Sequence, residues 1–174
     1  MHARKVIHRD LKVSGCGLFD LLVSLLVPLK TQSENILVDD EGNLHLADFG
    51  FARTVERTGR SRAQTVCGTP YYSAPEVLLG KPYDHKVDVF SFGCLVLELI
   101  TRRLINVDRI AQRDTDQPCG VDSAGLVKKL PKTIDCPPPL LKLGLVCVEY
   151  EPSKRPTMAQ AEQIAQQIEK KLGA

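Results

Sequence analysis

The sequence is short of net charge, paired-cysteine motifs, internal repeats and apolar runs of membrane length. Its formal charge is +2, from 23 Lys and Arg against 21 Asp and Glu. That is too small to argue for nucleic acid or an acidic membrane surface as the partner. Its six cysteines, at 16, 67, 94, 119, 136 and 147, contain no C-x-x-C pair. Zinc and redox motifs are therefore unsupported. Met1 to Asp10 carries charge and no apolar run, so no cleavable signal peptide is expected. A reducing cytoplasmic or nuclear setting with free thiols is the default. Leu18 to Leu29 holds nine apolar residues broken by Asp20, Ser24 and Pro28. A membrane span needs about 20.

What is present fits a globular chain with a core: 43% hydrophobic and 25% charged residues over a length of 174. Ile36-Leu37-Val38, a turn-forming cluster at 39 to 43 and Leu44-His45-Leu46 predict a hairpin. Residues 51 to 70, rich in Arg, Thr and Gly, read as a loop. Lys86 to Arg102 is apolar on nearly every side, which predicts a helix buried in the centre of a domain. Pro131 and Pro137 to Pro139 bracket an expected loop, and Leu140 to Tyr150 an expected helix. A last helix begins at a capping box, Thr157-x-x-Gln160, and carries Ala161, Ile164, Ile168 and Leu172 as its apolar stripe.

Three motifs carry chemistry: His8-Arg9-Asp10-Leu11-Lys12, then Asp48-Phe49-Gly50 after the hairpin, then Ala74-Pro75-Glu76. In order and spacing they resemble the catalytic loop, metal-binding loop and activation-segment end of eukaryotic protein kinases. The resemblance covers nearly all of the chain except 13 to 32. It implies a protein-kinase-like α+β fold: a mainly α-helical C-lobe with a short β-hairpin over residues 1–172. By the same resemblance Asp10 accepts the proton of the attacking hydroxyl and Lys12 steadies the γ-phosphate. Asn35 and Asp48 hold the magnesium ions that bridge the phosphates of ATP, and oxygen ligands suit that hard cation. His8 and Phe49 resemble members of a packed spine, with Gly50 closing the triplet. Asp88 resembles an acceptor for the catalytic-loop backbone. Glu76 and Arg155 resemble an ion pair tying the activation segment to the helical base, a task suited to Arg. Read as isolated residues, Asp10 and Asp48 would be loop carboxylates capping turns.

The segment from Asp48 to Glu76 sets Arg53, Arg57, Arg60 and Arg62 among Thr and Ser. The resemblance makes Thr65, then Ser61 and Thr58, candidate phosphate acceptors for an upstream activating kinase, with Arg9 receiving the phosphate. Lys12, and Thr69 in Gly-Thr-Pro-x-Tyr as a substrate-positioning residue, point to protein serine/threonine substrates. Tyr83-Asp84-x-Lys86-Val87-Asp88-Val89-Phe90-Ser91-Phe92-Gly93 resembles the tyrosine-kinase-like group near its LIM-kinase branch.

Two features count against activity of the chain as it stands. Met1 lies seven residues before His8, leaving no text for a Gly-rich phosphate loop or a Val-Ala-x-Lys strand, so the N-lobe is expected to be absent. The catalytic loop is also split, since Leu11, Lys12, Ser33 and Glu34 supply the usual four residues between Asp and Asn only if 13–32 are removed. Lengthening that gap from 4 to 24 residues costs only about 1.6 kcal/mol of loop entropy. The nine apolar side chains inside it each forgo roughly 1.5–3 kcal/mol if exposed. The insert begins Val-Ser and ends in Gln, which GTGAGT and CAG encode, so a translated intron is the favoured origin. A lineage-specific docking insertion is the rival. Two other functions compete with catalysis: a non-catalytic lobe that binds or regulates another protein, and a membrane-surface or aggregating fragment driven by Leu18 to Leu29.

Overall fold

A computed structural model of the chain describes residues 6–7, 36–38, 44–46, 48–54, 72–101, 119–121, 123–130 and 136–172. Among the described residues four short strands come first: β1 (Val6–Ile7), β2 (Ile36–Val38), β3 (Leu44–Leu46) and β4 (Arg53–Thr54). They form two antiparallel ladders. Ile36 pairs with Leu46 and Val38 with Leu44. Val6 pairs with Thr54 and Ile7 with Arg53. The connecting residues 39–43 of the expected hairpin lie outside the described residues.

Helices then dominate: α1 (Pro75–Leu78), α2 (Lys86–Thr101), α3 (Ser123–Lys129), α4 (Pro138–Cys147) and α5 (Met158–Leu172). The apolar stretch from Lys86 forms α2, and its composition explains its place. A helix with no polar face must be covered on all sides. One side of α2, with Val87, Phe90, Cys94 and Leu97, meets Ala74, Val77, Tyr83 and Val148. A second, with Val96 and Ile100, meets Leu140 and Ile168. From a third, Val89 meets Leu143, Cys147 and Ala161. Gly93 lets α4 come close, because a Cβ there would stand 2.6 Å from the Cβ of Cys147 and 3.0 Å from its carbonyl carbon.

Helix α5 starts as its sequence dictates. The Thr157 N–H donates to Gln160 Oε1 at 2.8 Å, and the Gln160 N–H donates to Thr157 Oγ1 at 3.2 Å. Both arms of the capping box are closed. Ala161 and Ile168 are buried and Ile164 is half-buried.

Three expectations are corrected. The run 51 to 70 is not wholly loop: a 3₁₀ turn covers Phe49–Phe51, and Arg53–Thr54 is a strand because Val6–Ile7 supplies its hydrogen bonds. Pro138 and Pro139 are not loop but the first turn of α4. Proline is tolerated there, since the first helical N–H groups lack intrahelical partners and its φ is already helical. That helix ends at Cys147 rather than Tyr150. The carbonyls of Glu149 and Tyr150 instead accept from Arg155. Among the described residues, no helix is long and apolar enough to cross a membrane.

Candidate active site

The two ladders set the geometry of the polar end. Residue 8 follows Ile7, which lies opposite Arg53, three residues after Gly50. Residue 35 precedes Ile36, which lies opposite Leu46, two residues before Asp48. A chain advances at most about 3.3–3.6 Å per residue. The two ladders therefore both end close to the Asp48-Phe49-Gly50 turn.

That turn is held by its own side chain. Asp48 has φ 53° and ψ 74°, in the left-handed region. An L-residue pays roughly 1–2 kcal/mol there, and Asp is among the few that offset it by local hydrogen bonding. Its Oδ1 accepts from the Gly50 N–H at 3.1 Å. A Cβ on residue 50 would lie 2.9 Å from that same oxygen, so any larger residue would push the carboxylate aside. The Asp48 carboxylate is exposed, fixed in direction and hard in character. Those properties fit a magnesium ligand. Phe49 beside it, expected in a packed spine, is 51% exposed.

The other organised cluster centres on Arg155, only 1% exposed. It follows a 3₁₀ turn over Pro152–Lys154. Its Nη1 donates to Glu76 Oε1 at 2.7 Å and its Nη2 to Glu76 Oε2 at 2.8 Å. Nε donates to the Glu149 carbonyl at 2.7 Å, Nη1 to that of Lys86 at 3.1 Å and Nη2 to that of Tyr150 at 3.0 Å. All five N–H donors of the guanidinium are thus used. The ring of Phe90 lies 4.8 Å from the guanidinium carbon. Lys86 returns the bond, its Nζ donating to the Arg155 carbonyl. One fork therefore joins α1, the start of α2 and the turn before α5.

The protein kinase domain family matches residues 29–167.

The chain belongs to the protein kinase domain family.

Relatives include a probable serine/threonine-protein kinase of Dictyostelium discoideum, 39% identical over 175 residues, spanning 99% of this chain and 20% of that protein. The RasGEF domain-containing serine/threonine-protein kinase X of the same organism is 40% identical over 156 residues, 90% of this chain and 14% of the relative. Probable serine/threonine-protein kinase kinX is 31% identical over 172 residues, 99% of this chain and 13% of the relative. The chain thus spans a fifth or less of the length of these relatives.

In this kinase domain, Asp48, Phe49, Gly50, Glu76, Asp88 and Arg155 are described. Asp88 is fully buried in the first turn of α2. His8, Arg9, Asp10, Lys12, Asn35, Thr58, Ser61, Thr65 and Thr69 lie outside the described residues, as does the insert 13–32. The structure adds a cluster the motifs did not single out. The Tyr72 hydroxyl donates to Glu98 Oε2 at 2.8 Å, and Ser91 Oγ donates to the Tyr72 carbonyl at 2.8 Å. Burial, then the Glu98 carboxylate, push the Tyr72 phenol above its usual range. The available signal was the seven-residue spacing of Ser91 and Glu98, which puts both on one face of a helix.

Proposed function

We propose that the longer protein carrying this kinase domain transfers the γ-phosphoryl group of ATP to serine and threonine hydroxyls of proteins, with magnesium. Asp10 takes the proton of the attacking hydroxyl as its oxygen bonds to the γ-phosphorus. The bond to the bridging oxygen breaks and ADP leaves. Lys12 would steady the shifting charge, and Asn35 and Asp48 would hold the magnesium, which would screen the phosphate charges. The observation that carries this reading is the convergence of both ladders on the Asp48 turn. Ile7 pairs with Arg53, three residues after Gly50, and Ile36 with Leu46, two residues before Asp48, which supports this reading. Names of the relatives support the serine/threonine class.

The finer readings rest on sequence pattern. They are membership of the tyrosine-kinase-like group near the LIM-kinase branch and a C-lobe over 1–172 with a β-hairpin. They also include phosphate acceptors at Thr65, Ser61 and Thr58 served by an upstream kinase, substrate positioning by Thr69, and a cytoplasmic or nuclear location. Residues 13–32 are proposed to be a translated intron, a reading that rests on their Val-Ser and Gln borders and on the catalytic-loop text their removal restores. Radiolabelled phosphate transfer to a mixed peptide library tests the activity, using the full-length protein with Lys12 joined to Ser33. Transfer that Asp48→Asn abolishes supports the reading, and no transfer from the joined protein overturns it. The second reading is a non-catalytic binding module, favoured by the insert between Lys12 and Ser33. It predicts a folded protein that neither binds ATP nor transfers phosphate.

A further inference from the structure

We draw no further inference here: the strongest candidate, the two thiols that Cys94 of α2 and Cys147 of α4 place in the helical core, carries none, because both side chains are fully buried, burial pushes the Cys147 thiol up to about 12 and so away from the reactive thiolate, and nothing in the structure shows what would react with them.

Discussion

Arg155 shows how one side chain can organise a helical base. Its guanidinium is buried, which would be ruinous unpaired, and it is tolerable because a carboxylate and three carbonyls use every donor. Replacing it by Met should cost about 3–5 kcal/mol, because Glu76 is left as a buried charge without its partner. Urea unfolding of the domain would measure this as a fall in midpoint. Lysine should rescue only part of it, since an ammonium has three donors and no planar fork. Nearby, burial pushes the Cys147 thiol from 9.0 to about 12. The folded state therefore holds this proton more tightly than the unfolded chain. Stability from this group is complete below pH 9 and lost as pH rises through the folded value. The Tyr72 phenol, raised by burial and by Glu98, acts in the same direction. A thermal-unfolding series from pH 8 to 11 should show Tm falling above pH 9, and a flat profile would contradict it. The Glu76–Arg155 partnership could be named from sequence through family resemblance. The three carbonyl acceptors could not, because backbone groups carry no residue label.

Helix α2 was the most legible element, and its periodicity is the reason. A run that is apolar on every side has only one stable location, the middle of the domain. The capping box of α5 was equally plain, because both of its bonds join residues three apart. The boundaries of α4 were not. Its start lies among three prolines that read as a loop, and its end falls at Cys147, three residues before Tyr150, leaving the Glu149 and Tyr150 carbonyls to accept from Arg155. The contact of α2 with α4 also depends on a detail that sequence periodicity does not reveal. Gly93→Ala would improve helix propensity by about 1 kcal/mol. The new methyl would nonetheless meet Cys147 at 2.6 Å. We expect net destabilisation of about 1–3 kcal/mol from overpacking, read as a lower denaturation midpoint. A stabilised Gly93→Ala variant would mean that α4 yields easily.

At the scale of the whole molecule, the chain belongs to the protein kinase domain family, and residues 13–32 are proposed to interrupt its catalytic loop. Deleting 13–32 from the full-length protein should raise phosphate transfer from background to a measurable rate. It should also reduce aggregation, because nine apolar residues leave with the segment. Equal activity with and without the segment would show that the insertion is accommodated. Sequencing the transcript across the Lys12–Ser33 junction gives an independent check. A message that always carries the 60 nucleotides would remove the intron explanation. The sequence by itself determined the family, the candidate chemistry and the buried status of α2. Those are carried by ordered motifs and by short-range periodicity, both local properties of the chain. The tertiary structure alone decided that residues 7 and 53 pair, that the Arg155 guanidinium also takes the Lys86, Glu149 and Tyr150 carbonyls, and that α2 holds Tyr72 through both its carbonyl and its hydroxyl. Each of these joins groups far apart along the chain, where only the packing of the fold selects the partner.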